Sequence, residues 1–197
     1  MKRRFLRILM TVVSIGLFAF LHEYAVIPLS VANVRISYAY PFRDFISVVM
    51  GPAAGGLVGA VGTLLTADDF SVNNILMIVI NGLDAVILGI LCRKIDVRSG
   101  FFGKNELLTF LKSFTLSHFL CYFVIRSVVR FIHGHSQGIA AANYMPGVLS
   151  SGLWMFLIDA ILSLDVSTLL LVVYARTRVS EANFTGTEFH GIRRFLL

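Results

Sequence analysis

Ionisable side chains are sparse in this chain, and they gather in a few places. His118, Tyr122, Arg126 and Arg130 occupy every fourth position of one apolar run, a spacing that places all four on one face of a helix. His133 and His135 follow just beyond. A later apolar run carries Trp154, Asp159 and Asp165, and an earlier one carries Asn81 and Asp84. The stretch before that holds Arg35, Tyr38, Tyr40, Arg43 and Asp44. One reading pairs these charges with each other, Asp159 or Asp84 with Arg126 and Asp44 with Arg130 or Arg43, because buried charges need partners. The other gathers them around a pocket for a polar, planar, anionic small molecule. Arginine suits carboxylate or phosphate, and rings suit stacking. A face with two arginines, a tyrosine and a histidine, opposite an aromatic and two acids, exceeds what helix pairing requires and favours the pocket. The candidate set is Arg35, Tyr38, Asn81, Tyr122, Arg126, Arg130, Trp154 and Asp159. Arg126 and Arg130 would hold acidic groups, Tyr122 and Trp154 would stack on rings, and Asp159 with Asn81 would bond ring nitrogens or hydroxyls.

Catalytic patterns are missing. His22-Glu23 is followed by Tyr24-Ala25-Val26, so there is no HExxH, and neither GxSxG, CxxC nor GxxxxGK[ST] occurs; the chain alone cannot drive transport with ATP. An intramembrane metal-dependent hydrolase built on His118, His133 and His135 is the first rival, weakened by the lack of an acidic or cysteine partner at ligand spacing. A structural assembly protein, whose polar residues only cross-link helices, is the second. No metal, cofactor or enzymatic activity is expected. Cys92 and Cys121 fall in or beside apolar spans, where plain packing is the default.

The elements that would position these residues are membrane helices. Of 197 residues, 57% are hydrophobic and 14% charged, and the mean hydropathy is +0.82, which leaves too little charge for an aqueous surface. At the centre stands Val48 to Thr66, one proline and five glycines in an apolar run. Gly51, Gly55 and Gly59 recur at four-residue spacing and Gly62 extends the row, so a helix beginning at Pro52 would present a groove of small residues. Glycine costs a helix about 1 kcal/mol relative to alanine, whereas in lipid small residues let backbones approach closely. Gly51 permits a sharp reversal, and Pro52 fits a first helical turn.

The spans follow in order: Ile8 to Leu21, retained rather than cleaved as a signal; a short second span over Phe45 to Met50 with part of Tyr38 to Asp44; and the glycine helix to about Ala67. Ile75 to Cys92, Leu107 to Ile132 and Gly147 to Tyr174 complete six. Glu23 to Asp44 is too polar for lipid and reads as a structured first outer loop, extended at Val34 to Ser37. Lys2, Arg3, Arg4 and Arg7, then Arg93, Lys94, Arg98 and Lys104, then Arg176, Arg178, Arg193 and Arg194 put twelve of seventeen cations on one face. Both termini are therefore expected in the cytoplasm. The expectation is an all-α polytopic membrane protein, residues 1–197 forming a single six-helix transmembrane domain.

The stretch VRISYAYPFRDFISVVMGPAAGGLVGAVGTLL, through Val34, Arg35, Ile36, Ser37, Tyr38, Gly51, Pro52, Gly55, Val58, Gly59 and Gly62, resembles the substrate-binding S component of energy-coupling factor (ECF) vitamin transporters. The resemblance implies a subunit that captures a vitamin or precursor from outside in a cavity roofed by the first outer loop. It implies partners too: a transmembrane coupling subunit and two ATPases. Two positions depart from the family pattern. Thr63 follows Gly62 where many members have Asp, and the first helix offers Ser14, Gly16 and Ala19 instead of a clean AxxxA for contact with the coupling subunit. The substrate class stays open among folate-, thiamine- and riboflavin-like compounds; the arginines argue against a cation unless Asp159, Asp84 and Asp44 neutralise them.

Overall fold

A computed structural model describes residues 2–29, 34–95 and 97–184. Helix α1 spans Lys2–Tyr24, and a hairpin follows, β1 (Val26–Leu29) pairing antiparallel with β2 (Val34–Ser37) from Val26 opposite Ser37 to Leu29 opposite Val34. Then come α2 (Ala39–Met50), α3 (Pro52–Leu65) and α4 (Val72–Leu91). The next helical rod is built from α5 (Lys104–His118), a wide-turn segment Phe119–Ile125 and α6 (Arg126–Ser136), and α7 (Ala141–Phe184) closes the described chain. The architecture is all-α apart from the hairpin, which is the extended piece expected at Val34 to Ser37.

Four of these helical stretches are long and apolar enough to cross a membrane: Arg4–Tyr24, Val72–Lys94, Lys104–Ser136 and Asn143–Arg178. The protein is a multi-pass membrane protein. The second and third expected spans are shorter, 12 residues in α2 and 14 in α3. At about 1.5 Å per residue each is shorter than the roughly 30 Å of a hydrocarbon core. They pack against each other and along α4, with the reversal between them at Gly51 and Pro52. Gly51, at φ 99°, makes the reversal in a left-handed region that other residues resist, and Pro52 opens α3 where a missing N–H is harmless. The second span also begins earlier than its apolar core suggests, because Pro41 lies in the first turn of α2.

Helix α3 is the hub, and its glycines are why. A methyl group added at Gly55 would overlap Ser47 of α2, at Gly59 the Asn81 carbonyl of α4 and the Arg43 stem, and at Gly62 the Phe18 ring of α1. Gly82 and Gly89 of α4 meet Ala60 and Pro52 in the same way. Neighbouring helices thus approach from three sides, two of them with backbone and α1 with the Phe18 ring, as expected where lipid offers apolar side chains no advantage in association. Around this hub Phe18, Ala39, Ile46 and Val58 form one apolar cluster, Leu76, Ile80, Cys121 and Tyr122 a second, and Leu88, Phe110, Phe114 and Leu171 belong to a third.

The turn from α3 to α4 is capped locally: the Ser71 hydroxyl accepts the Asn74 N–H at 3.4 Å, and Asp69 accepts the Ser71 N–H at 3.0 Å and the Asn74 amide at 2.7 Å. The bond from the Ser71 backbone holds the exposed Asp69 carboxyl below its ordinary range.

Gly59→Ala should lower the thermal unfolding midpoint of the detergent-solubilised protein, at a cost of about 1–3 kcal/mol from overpacking. Gly16→Ala on α1, where a methyl meets nothing within 4 Å, should leave the midpoint unchanged in the same thermal-shift measurement.

Candidate functional site

The helices converge on a completely buried ionic centre. Arg43 of α2 donates through Nε and Nη2 to Asp44 Oδ1 at 3.0 and 2.7 Å, and through Nη2 to Asp84 Oδ2 of α4 at 2.5 Å. Its Nη1 donates to the Tyr122 hydroxyl at 2.8 Å and to Asn81 Oδ1 at 3.2 Å. The Tyr122 hydroxyl donates to Asn81 Oδ1 at 2.5 Å, and the Asn81 amide donates to Thr63 Oγ1 at 2.8 Å. Thr63 in turn donates to the Gly59 carbonyl at 2.7 Å. Thr63, the departure from the resembled pattern, therefore ties α3 into the network.

His118 completes the centre. Its Nε2 lies 3.6 Å from Asp44 Oδ2 and its Nδ1 lies 3.3 Å from Asp84 Oδ1, while the Phe114 ring stacks on it at 3.8 Å between centroids. Asp44, Asp84 and His118 offer three ligand atoms within 4.8 Å of one another, so a metal ion deserves a test. The geometry does not suit one: the imidazole turns its two nitrogens toward different carboxylates, and Arg43 already brings positive charge to both acids. The arrangement is a hydrogen-bonded ionic lock. Removing one partner of such a buried set leaves an uncompensated charge, at about 3–5 kcal/mol.

Just beyond the lock the chemistry changes. Arg126 is buried, and its Nε and Nη1 have no hydrogen-bond partner among the described residues; the adjacent Ser127 hydroxyl is likewise unpartnered. Its electrostatic neighbours are Arg130 and the hydroxyls of Tyr122, Tyr40 and Tyr144. Tyr40 bridges the two regions: its ring stands edge-on to Tyr122 at 6.5 Å, and the Arg43 guanidinium lies 5.6 Å from its centroid. Arg130 reaches the end of the bundle, donating to Asn73 Oδ1 at 2.7 Å and to Ser151 at 3.5 Å. At that end a polar pocket of about 310 Å³ opens between α1, the hairpin, α3 and α4, lined by His22, Glu23, Tyr40, Thr63, Asp68 and Asn74 among others.

Several residues singled out by spacing are brought together and several are not. Asn81 and Tyr122 meet in the lock, one turn of helix from Arg126. Tyr38 is partly exposed at the start of α2. Arg35 pairs through its backbone with Pro28; its side chain, like that of Asp159, lies outside the described residues. Trp154 is 51% exposed beside the equally outward Leu157 and Ile161, so it faces away from the lock. Of the small residues on α1, Ser14 is buried toward the bundle and Gly16 is exposed. They do not share one docking face, and Ser14 is corrected to an inward packing residue. The pairing of Asp44 with Arg43 is present, but Asp84 pairs with Arg43 rather than Arg126. His118 belongs to the lock, whereas His133 and His135 lie on α6, roughly 20 Å further along the rod at about 1.5 Å per residue, so the three histidines do not form a hydrolase centre.

A multi-pass helical bundle with a buried ionic core and, among the described residues, a buried arginine lacking hydrogen-bond partners at two nitrogens defines a polytopic membrane protein. Comparison with known proteins names the group: residues 4–176 match the family model for the ECF-type riboflavin transporter, S component. The chain belongs to that family, whose members are transporter subunits and not enzymes. Similar chains include a UPF0397 protein of Lacticaseibacillus casei, 29% identical over 180 residues, which is 88% of this chain and 92% of that one. A UPF0397 protein of Enterococcus faecalis is 36% identical over 107 residues, 51% of this chain and 57% of its own length. One of Staphylococcus aureus strain JH9 is 26% identical over 180 residues, 88% of this chain and 93% of that one. No solved structure matches.

Asp84→Ala should cost about 3–5 kcal/mol, seen as a large loss of folded protein after heating in detergent. Asp69→Ala in the exposed turn should leave the melting curve nearly in place.

Proposed function

We propose that this S component captures an anionic, heteroaromatic vitamin or vitamin precursor from outside the cell, with Arg126 as the contact for its acidic group. The observation that carries the reading is the Arg126 guanidinium itself. A buried cation with two idle nitrogens is costly unless something charged completes it, and a planar carboxylate or phosphate fits its fork. Tyr40, Tyr122 and Tyr144 are among its electrostatic neighbours and offer aromatic surface for a ring system. Arg130, toward the open end, adds to the positive field that would draw an anion inward. The substrate is then folate-like or a phosphorylated or carboxylated flavin-like compound. A thiamine-like cation is disfavoured by two arginines.

The proposal extends to the assembly. The loaded subunit works with a transmembrane coupling subunit and two ATPases, which supply the energy this chain lacks a phosphate-binding loop to provide. Both termini lie in the cytoplasm, since the cations before the first apolar span, between α4 and α5 and after the last apolar span follow the positive-inside pattern, and the end carrying Asp68, Asn73 and Arg130 faces outside. Residues 1–197 act as a single membrane domain.

Folate, riboflavin, riboflavin phosphate and thiamine, titrated against the detergent-solubilised protein, should separate by charge, the anions binding and thiamine not. Arg126→Ala should weaken binding of the preferred anion at least tenfold, about 1.5–3 kcal/mol for a hydrogen bond to a charged group. Preferred binding of thiamine, or unchanged affinity in Arg126→Ala, would remove the anion reading.

A further inference from the structure

The rod that carries His118, Tyr122, Arg126 and Arg130 is not one regular helix. Between α5 and α6, Phe119–Ile125 winds as a π-helix seven residues long, and at its end the Arg126 N–H reaches the Cys121 carbonyl five residues back. Wide turns of this kind are rare, occur mostly as single turns, and concentrate at functional positions. Nothing in the local composition demands one: FLCYFVI has neither glycine nor proline. Its surroundings are uneven. On the inner side Phe114, His118, Cys121 and Tyr122 are all fully buried, with Tyr122 bonded to Arg43 and Asn81. On the outer side Val128 and Ile132 are exposed, and the facing surface of α7 is small, Gly152 lying against Ser127 and Phe123.

We propose that Phe119–Ile125 is a movable joint, anchored at Tyr122, that sets the position of Arg126 relative to the ionic lock. One surplus residue in a helix is worth about 100° of rotation, so passage of the wide turn along the segment, or its tightening, swings the Arg126 end while the His118 end stays clamped. The unpartnered guanidinium fits this role, because no hydrogen bond among the described residues pins it in one place. The joint rests on the reading of Arg126 as the ligand contact for its purpose, but its mechanics stand apart from any ligand.

Amide hydrogen exchange of the full chain in detergent, without added ligand, tests it. Peptides covering 119–125 should exchange at least tenfold faster than those covering 108–117, although both are embedded in the bundle. Deleting Val124 removes the surplus residue, lets the rod run as a continuous α-helix with both flanks in register, and should bring 119–125 to the level of its neighbours. Equal protection of 119–125 and 108–117 in the wild-type chain overturns the joint, as does fast exchange that survives in a folded deletion variant. Should the deletion variant fail to fold, the wild-type ratio decides alone. Because no ligand enters the measurement, its failure leaves the anion-binding titrations untouched, and their failure leaves the joint standing.

Discussion

A guanidinium held between two carboxylates, out of reach of water, sets the terms for the packing around it. Arg43, Asp44 and Asp84 are each fully buried, and every charge taken from water costs several kcal/mol unless matched at close range. That demand fixes α2 against α4 and orients Asn81. Through Tyr122 it reaches the rod that bears Arg126. The glycines of α3 make the match possible, since the Arg43 stem and the Asn81 backbone pass where any side chain on Gly59 would stand. Close packing and charge pairing are here one constraint seen from two sides.

The lock also divides structural polarity from functional polarity. Tyr122 and His118 share the helical face of Arg126, yet the Tyr122 hydroxyl is engaged with Arg43 and Asn81, and the His118 ring faces Asp44 and Asp84. Among the described residues, what remains is the buried Arg126 guanidinium, with tyrosines among its neighbours, and an open polar end. A rigid base beside an incompletely bonded cation is what the proposed capture of an anion would require.

Much of this fold was legible in the amino-acid sequence, and the exceptions have physical reasons. The long spans are readable because apolar runs of membrane length leave few alternatives, and the small-residue row from Gly51 to Gly62 signals close backbones. By sequence, Arg43 and Asp44 fall in an outer loop, because Pro41 reads as punctuation. In the structure Pro41 sits in the first turn of α2, where it interrupts no hydrogen bond, and the charges behind it descend into the bundle. The wide turn was invisible, since a segment apolar all round carries no period from which five-residue bonding could be told from four. Residue type groups Trp154 with the site, but its exposure in one row with Leu157 and Ile161 is equally that of an aromatic on the outer face of a membrane helix.

The proposed role of Arg126 is that its buried guanidinium, with Nε and Nη1 unpartnered among the described residues, is completed by a captured anion. Native mass spectrometry of the protein purified gently from cells grown in rich medium addresses this most directly. A copurifying heteroaromatic compound bearing a carboxylate or phosphate, retained by the wild-type chain and lost from a folded Arg126→Ala variant, is the result expected. A neutral or cationic compound, or the same adduct on both chains, would contradict it.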